Sequence, residues 1–226
     1  MKKIAIVTGA SSGVGKATAK LLSENGYYVI AASRNLEKLK SAFDGVENVE
    51  PYQLDITKSD DIRNLYNHLK NENVEVIVNN AGGGIGISEN NDDNPDNWRQ
   101  AFNLNVIGPM ELTKLFKDKM RDSKNGHVIF VTSICAYYTF QGSSNYSVAK
   151  SAEAMLAETL RMDLAIPGIK VTNIVPGNID TDPERPKMCS VKPEDVAEAI
   201  RWSISMPKHV NIDSINIMSI EHLKYH

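Results

Sequence analysis

Short β-branched and apolar runs alternate with longer amphipathic stretches along most of the chain, and this alternation limits the fold more than any other feature. It is the pattern of parallel strands joined by crossover helices. Near-continuous apolar runs such as Ile4–Val7 and Val128–Val131 are typical of strands covered on both faces. The sequence therefore predicts a doubly wound α/β fold with a seven-stranded parallel sheet flanked by helices. The strands are expected near Lys3–Val7, Tyr28–Ala32, Val49–Leu54, Val74–Asn79, His127–Thr132, Lys170–Val175 and Ser214–Met218.

The composition is typical of a protein with one sizeable core. The chain has 226 residues, of which 42% are hydrophobic and 23% charged, so it needs no disulfide or metal for stability. We expect one domain over residues 1–226. The two cysteines, Cys135 and Cys189, lack the spacing of a disulfide framework or a zinc site. No metal and a reducing, cytoplasmic location are therefore expected.

Charge and hydropathy limit the class of partner. The 25 basic and 28 acidic residues give a formal charge of -3, which offers no electrostatic footprint for nucleic acid. No stretch approaches the roughly 18 apolar residues of a membrane span, and no targeting signal is visible. We expect a small-molecule substrate as partner, with neither nucleic acid nor membrane.

Several helix ends carry local signals. Thr57 with Asp60 resembles a capping box, and Pro95 suits the first turn of a helix. Pro167–Gly168 is expected to end the helix that begins near Asn145.

A glycine-rich turn, Thr8–Gly15, lies between the first strand and the helix that follows it. Glycines at such a turn permit close approach of the backbone to a pyrophosphate, and the helix N-terminus offers free N–H groups and partial positive charge. An ordinary strand-to-helix turn is the alternative. Three glycines in this context favour a dinucleotide site.

The residues after the second strand bear on the choice of dinucleotide. NAD-binding folds usually place an acid there, to bind the ribose 2'-hydroxyl. This chain has Ser33 and Arg34 instead, and Arg34 can pair with the 2'-phosphate of NADP. The sequence thus favours NADP(H), the alternative being that Arg34 is only a solvated residue opening the next helix.

Tyr146 and Lys150 are four residues apart, which places the phenol and the ammonium on one face of a helix. Ser133 lies at the end of the preceding strand. A cation beside a tyrosine favours the phenolate and makes it a better acid or base. A solvated Tyr and Lys on a surface helix is the alternative for this pair alone.

Taken in order, the motifs resemble those of the short-chain dehydrogenase/reductase family over nearly the whole chain. The matching residues are the glycine turn, Asp55, Asn79–Gly82, Asn105, Ser133, Tyr146 with Lys150, Pro176–Gly177 and Thr181.

The resemblance implies a Rossmann fold and an oxidoreductase that uses NADP(H). It implies a catalytic tetrad of Asn105, Ser133, Tyr146 and Lys150, in which Tyr146 exchanges a proton with the substrate oxygen. Ser133 binds that oxygen, Lys150 favours the phenolate and holds the nicotinamide ribose, and Asn105 supports a water-linked proton path. The cofactor-binding residues implied are Gly9, Ser11, Ser12, Gly13, Val14, Gly15, Ser33, Arg34, Asp55, Ile56, Asn79, Ala81, Gly82, Tyr146, Lys150, Pro176, Gly177, Ile179 and Thr181. Many NADP-preferring relatives carry a basic residue where this chain has Ser12, which leaves Arg34 as the main phosphate contact.

Two stretches, Asn79–Gly86 and Lys192–Ile212, resemble one subgroup, the NADP-dependent 3-hydroxy acid (serine) dehydrogenases. The activity implied is hydride transfer between NADP(H) and a small hydroxy or carbonyl compound, such as a 3-hydroxy acid. A general carbonyl or ketoacyl reductase is an alternative, although Ile217–Ile220 lacks the Gly-Gly pair usual in ketoacyl reductases. A non-catalytic NADP-binding sensor and a scaffold protein are further alternatives, but neither needs an intact tetrad.

Substrate contacts are expected from the loops after the fourth, fifth and sixth strands. These are Gly83–Ile87, Ile134–Phe140 and a short lid, Asp180–Ser190, which carries Arg185 and Lys187. Cys135 is expected to be a buried, unreactive thiol.

Assembly is expected as well. Helices over Pro95–Arg121 and Ser147–Ala165 carry more apolar residues than one sheet face covers, and relatives pack such helices into oligomers. We expect a homotetramer, with a dimer as the second choice. The apolar residues in question are Met110, Leu115, Met155 and Leu156.

Overall fold

Seven parallel strands in one sheet form the centre of the computed structural model, which describes residues 2–86, 94–180 and 190–221. The strand order is β3-β2-β1-β4-β5-β6-β7. The chain winds away from β1 first to one side and then to the other, so a crevice opens between the ends of β1 and β4. The strands are β1 Lys3–Thr8, β2 Tyr27–Ser33, β3 Val49–Gln53, β4 Val74–Asn79, β5 His127–Val131, β6 Lys170–Pro176 and β7 Ser214–Ile217.

Helices cover both faces of the sheet, and the expected doubly wound Rossmann fold is confirmed. The α-helices among the described residues are α1 Gly13–Glu24, α2 Leu36–Ala42, α3 Ser59–His68, α4 Pro95–Phe102, α5 Gly108–Ser123, α6 Ser144–Ala165 and α7 Pro193–Ser205. A π-helical turn, Asn103–Ile107, separates α4 from α5, so the stretch expected as one helix from Pro95 is divided. A short 3₁₀ turn, Ile134–Ala136, follows β5.

Alternate residues of the strands supply two apolar cores, one on each face of the sheet. In β1, Ile4 and Ile6 pack beneath α3, α5 and α6, whereas Ala5 and Val7 pack beneath α1, α2 and α7. Successive strand residues point to opposite faces, so a strand covered on both sides is apolar throughout. The near-continuous apolar character of the sequence is explained by this double coverage.

The expected helix ends are partly correct. Pro95 occupies the first turn of α4, and α6 ends at Ala165 before Gly168, which has a φ of 77°. The capping box at Thr57 is wrong, because α3 begins at Ser59. The hydroxyl of Thr57 instead donates to Asp55 Oδ1 at 2.7 Å, and its backbone N–H donates to the same oxygen at 3.1 Å. A local turn around Asp55 thus outcompetes the cap.

Within the ranges that the structure describes, no helix is both long enough and apolar enough to cross a bilayer.

Gly108 fixes the position of α5 against the loop after β3. A Cβ atom at Gly108 would lie 2.3 Å from the carbonyl oxygen of Ile56 and 3.0 Å from its carbonyl carbon. The obstacle is backbone, so it cannot turn aside as a flexible side chain can. The Gly108→Ala variant is expected to lose about 1–3 kcal/mol of unfolding free energy, the usual cost of overpacking. Urea unfolding measures this loss, with Lys117→Ala on the exposed side of α5 as control; equal midpoints for the two variants would contradict the packing argument.

Candidate active site

The glycine turn lies where the crevice opens. Gly9 and Gly13 have φ angles of 67° and 53°, which residues with a side chain rarely adopt. A Cβ atom at Gly15 would lie 2.5 Å from the carbonyl oxygen of Gly9, so the first turn of α1 lies directly against the loop. No acidic residue occupies that first turn. The positive end of α1 is therefore open to an anion.

The other residues of this turn present different groups to the crevice. Ser11 is half-buried and Ser12 is exposed, and the hydroxyl of Ser12 makes no capping hydrogen bond to α1. The Val14 side chain is buried in the core beneath α1. Val14 can thus offer a ligand only its backbone, whereas the two serines have hydroxyl groups to offer.

Thr8 and Asn80 join the end of β1 to the end of β4. The Thr8 hydroxyl donates to the carbonyl of Val78 at 3.2 Å and accepts the backbone N–H groups of Asn80 and Ala81, each at 3.0 Å. The Asn80 side-chain amide donates to the carbonyl of Thr8 at 2.9 Å. These bonds fix the chain on both sides of the crevice.

Arg34 follows β2, next to the glycine turn. The backbone N–H of Ala10 donates to the carbonyl of Ala32 at 3.1 Å, which ties the turn to the end of β2. Asn35, not Arg34, caps α2, since its side chain accepts the N–H of Lys38 at 2.9 Å. The Arg34 side chain is exposed and has no ion-pair partner within the described ranges. Ser33 beside it is half-buried.

Asp55 and Ile56 follow β3. The Asp55 carboxylate is engaged by Thr57, and its backbone N–H donates to Asp61 Oδ2 at 2.9 Å. Ile56 is buried and supports Gly108. Asp55 thus forms a turn at the end of β3, and Ile56 supports the start of α5.

Asn79 is the last residue of β4 and is fully buried. Its amide group donates to Thr113 Oγ1 at 3.1 Å, while its Oδ1 atom has no hydrogen-bond partner among the described residues. Ala81 is half-buried beside the same strand end.

Asn105 lies in the π-helical turn, where it is fully buried. Its amide donates to the carbonyls of Ala101 and Gly83 at 2.8 and 3.0 Å, and its Oδ1 accepts the Gly83 N–H at 3.1 Å. The extra residue of a π-helical turn rotates the side chains near it relative to their directions in a regular α-helix, and such turns are frequent at functional sites. Here it directs Asn105 toward the segment after β4.

Lys150, in α6, lies beside Asn105 at that segment. A Cβ atom at Gly82 would lie 2.7 Å from Asn105 Oδ1 and 2.8 Å from Lys150 Nζ, so a larger residue there would displace the ends of these two side chains. Lys150 Nζ donates to the carbonyl of Val131 at 3.1 Å and to Glu153 Oε2 at 2.7 Å.

The charges of this pair depend on each other. Burial alone lowers the pKa of Lys150, but Glu153 and, more weakly, Tyr146 outweigh it and leave that pKa above its usual range. Burial also raises the pKa of the Glu153 carboxyl, although Lys150 opposes the rise.

Tyr146 and Ser133 complete the group. Tyr146 is half-buried one turn before Lys150, whose Nζ atom lies 6.0 Å from the centre of the phenol ring. Ser133 follows β5, and its hydroxyl accepts the N–H of Cys135 at 3.1 Å. Cys135 itself is half-buried, not buried as expected.

The loops expected to contact substrate are only partly described. Gly83–Gly86 is tied to α6 by Asn145, whose amide donates to the carbonyl of Ile85 at 2.6 Å. The loop after β5 exposes three aromatic side chains, those of Tyr137, Tyr138 and Phe140.

Pro176 ends β6 and Gly177 begins the segment after it, where the Gly177 N–H donates to the carbonyl of Ile217 at 2.8 Å. A bridge between Ile179 and Val191 closes the base of the expected lid. Thr181, Arg185 and Lys187 lie outside the described residues.

Sequence reasoning missed three side chains that organise this site, those of Thr8, Asn145 and Glu153. The role of Glu153 could have been predicted, because an acid three residues after Lys150 lies on the same helix face, among apolar residues. The hydroxyl of Thr8 and the amide of Asn145 bind residues far away in the chain, so no local pattern reveals these contacts.

Comparison with known proteins gives a consistent result. Residues 3–188 match the family model of the short chain dehydrogenases. The chain is 32% identical to an uncharacterized oxidoreductase of Staphylococcus aureus strain MRSA252, over 96% of this chain and 97% of that protein. It is similar to the crystal structure of serine dehydrogenase from Escherichia coli, with 28% identity, coverage of 96% and 98%, and a TM-score of 0.86. A closed form of serine dehydrogenase complexed with NADP+ has 26% identity, coverage of 96% and 95%, and a TM-score of 0.85.

Proposed function

This chain belongs to the short-chain dehydrogenase family of oxidoreductases, and we propose that it transfers a hydride between NADP(H) and a small hydroxy or carbonyl compound. One observation carries the proposal. The buried Lys150 and Asn105 meet across Gly82, with Tyr146 one helical turn away, at the crevice where the sheet winding reverses.

The residues of the crevice fit a dinucleotide. Gly9 and Gly15 bring backbone close to backbone at the open end of α1, which suits a pyrophosphate. The buried Asn79 Oδ1 atom has no partner in the described part of the chain and can accept a hydrogen bond from the ligand. Ser11, Ser12 and Gly13 would hold the phosphates, Asp55 and Ile56 would flank the adenine, and Ile179 and Thr181 would reach the nicotinamide end.

The choice of NADP(H) rests on Arg34. Its side chain is exposed at the end of β2, and the backbone bond from Ala10 to Ala32 holds the glycine turn beside that strand end. A guanidinium there pairs with a 2'-phosphate through charge-assisted hydrogen bonds, helped by the Ser33 hydroxyl. The NADP+ complex of a serine dehydrogenase with a similar structure supports this choice.

The proton chemistry falls to residues of this chain. Tyr146 gives the proton to the substrate oxygen in reduction and takes it in oxidation, while the Ser133 hydroxyl donates a hydrogen bond to that oxygen. The Lys150 ammonium lies 6.0 Å from the centre of the Tyr146 ring, and its remaining N–H would bind the ribose hydroxyls. Asn105, whose amide is fixed by Gly83 and Ala101, supports a water-linked path from Lys150. When bound, the nicotinamide supplies or accepts the hydride.

A 3-hydroxy acid is the substrate class that we favour. The serine dehydrogenases with similar structures support it, as do the stretches Asn79–Gly86 and Lys192–Ile212. Turnover is tested by the change in nicotinamide absorbance with a series of 3-hydroxy acids, simple alcohols, aldehydes and ketones. Oxidation of 3-hydroxy acids above simple alcohols is expected, and turnover confined to ketones would favour a carbonyl reductase.

Assembly into a homotetramer, with a dimer as the second choice, is part of the proposal. One face of α6 leaves apolar side chains uncovered, including Met155 and Met162, which are 64% and 69% exposed. Val148 lies on the same face and Ile166 directly follows the helix, and these four exposed residues form the α6 stripe. Of the four apolar residues expected to be left uncovered by the sheet, Leu115 and Leu156 pack instead against the core. A second copy that covers the α6 stripe would remove this apolar surface from water.

Cofactor choice can be tested at Arg34. Arg34→Ala is expected to raise KM for NADP+ by about 10-fold or more, because a charge-assisted bond is lost, while KM for NAD+ changes little. Steady-state kinetics with both cofactors measure this, with Lys38→Ala on exposed α2 as control. Equal catalytic efficiency with NADP+ and NAD+ in the unmodified enzyme would refute the NADP(H) assignment.

The acid/base role can be tested at Tyr146. Tyr146→Phe keeps the ring and removes the oxygen, so turnover should fall by the roughly 10² to 10⁴-fold typical of a lost general acid or base, with NADP(H) affinity little changed. Tyr66→Phe, a half-buried tyrosine in α3, is the control. Near-normal turnover by Tyr146→Phe would overturn the mechanism.

The α6 stripe can be tested by charge. Met162→Glu is expected to reduce the mass measured by light scattering at micromolar concentration, because a carboxylate cannot be buried unpaired in an interface. Lys20→Glu, which changes an exposed residue on the opposite face of the sheet, should leave the mass unchanged. A monomeric mass for the unmodified protein would exclude the oligomer.

A further inference from the structure

We propose that Glu153 is a positioning residue for the reaction, a buried counter-ion that keeps Lys150 charged and holds its ammonium group in one orientation. The inference rests on the proposed function, in which Lys150 acts on Tyr146 and on the cofactor. Nothing in the motif of Tyr146 and Lys150 requires an acid at position 153.

The pair is removed from water. The side chains of Lys150 and Glu153 are 4% and 0% exposed, and Nζ lies 2.7 Å from Oε2. Glu153 Oε1 has no hydrogen-bond partner among the described residues. A buried carboxylate with half of its capacity unused is costly, and its contact with Lys150 is the compensation that the structure shows.

Glu153 and Val131 together fix the direction of the ammonium group. A lysine has three N–H donors. Two of them are engaged by Val131 O at 3.1 Å and Glu153 Oε2 at 2.7 Å. Nζ also faces Gly82, where a Cβ atom would lie 2.8 Å away. One donor is left for that side, which is where the cofactor ribose and the Asn105 path are proposed.

A second buried lysine, Lys119, has no carboxylate in direct contact within the described ranges. Lys119 donates to the carbonyl oxygens of Leu69 and Lys70, both at 2.7 Å, and of Glu72 at 3.3 Å. Burial lowers the pKa of Lys119, although the more distant Glu72 carboxylate opposes the fall. The pKa of Lys150, although its burial is deeper, is raised. The direct contact with Glu153 is the main difference between the two sites.

Other titratable groups that act on Lys150 are few within the described ranges. Tyr146 lies on the same helix, and Cys135 lies in the turn after β5 that packs against it. The side chain that faces Lys150 from the π-helical turn, Asn105, is neutral. Among the described residues, Glu153 is the carboxylate in direct contact with Lys150, so its charge opposes the effect of burial on the ammonium.

The test is a direct titration of Lys150 in Glu153→Gln, an isosteric neutral variant, without cofactor. Carbon NMR of protein labelled at the lysine ε-carbon follows the charge, and Lys150→Met identifies the signal. The titration midpoint of Lys150 is expected to fall by about one pH unit or more relative to the unmodified protein, since burial remains and the counter-charge is lost. Glu158→Gln, an exposed acid of the same helix paired with Arg161, should leave it unchanged.

The conservative variant separates charge from packing. Glu153→Asp, which keeps the negative charge, is expected to return the Lys150 midpoint toward that of the unmodified protein. An unchanged midpoint in Glu153→Gln, or equal midpoints in Glu153→Gln and Glu153→Asp, would overturn the proposal. A purely structural role changes thermal stability and leaves the Lys150 titration unmoved.

Kinetics give a second reading. The alkaline limb of the kcat/KM profile for oxidation should move to lower pH in Glu153→Gln, because Lys150 loses its proton earlier. Near-normal turnover by Tyr146→Phe would refute the proposed function but leave the NMR shift intact. An unmoved NMR midpoint in an enzyme that depends on Tyr146 would refute only the role of Glu153.

The test remains decisive if Glu153→Gln does not fold. The double variant Lys150→Met with Glu153→Gln removes both charges. Recovery of a cooperative unfolding transition in the double variant would assign the failure to the uncompensated ammonium and support the proposal. A double variant that also fails to fold would assign Glu153 a packing role and overturn it.

Discussion

The hydroxyl of Thr8 joins the ends of β1 and β4, and the candidate site depends on this junction. This buried hydroxyl donates to the carbonyl of Val78 and accepts the backbone N–H groups of Asn80 and Ala81. The side-chain amide of Asn80 in turn donates to the carbonyl of Thr8. The crevice of a doubly wound sheet opens between these strands, so the polar groups at their ends would otherwise lie unsatisfied and free to move. With them fixed, the glycine turn and the Asn79–Gly82 segment face each other at a set distance.

The opposite wall of the crevice is built around one buried positive charge. Lys150 is held by a carbonyl of β5 and a carboxylate of α6, beside an asparagine that a π-helical turn directs inward. Burying an ammonium group carries a large desolvation free energy, and each of these contacts offsets part of it. The contacts that stabilise the buried Lys150 ammonium also fix its orientation. The stability of the charge and the positioning of the ammonium group therefore have the same cause.

Much of the fold was predictable because it depends on short-range periodicity. Buried strands in a parallel sheet are apolar on both faces, and the seven expected strands agree with the observed ones within a residue at each end. Helix-capping signals were less reliable where another nearby side chain could bind the same polar group. Thr57 was expected to cap α3, but its hydroxyl donates to the carboxylate of Asp55, two residues before it, and α3 begins later. The π-helical turn at Asn105 interrupts a stretch whose sequence predicted one continuous helix.

The sequence by itself determined the layered fold and the order of the motifs at the carboxyl ends of the strands, because strand and helix periods and glycine requirements are local. Only the tertiary structure decided which of those motifs meet. It brought Asn105 and Lys150 together across Gly82, engaged Asp55 in a turn, and left Arg34 free of ion pairs within the described residues. It also showed Glu153 as the partner of Lys150. Burial, on which the charge of such a pair depends, belongs to the packed molecule and cannot be read from the chain alone.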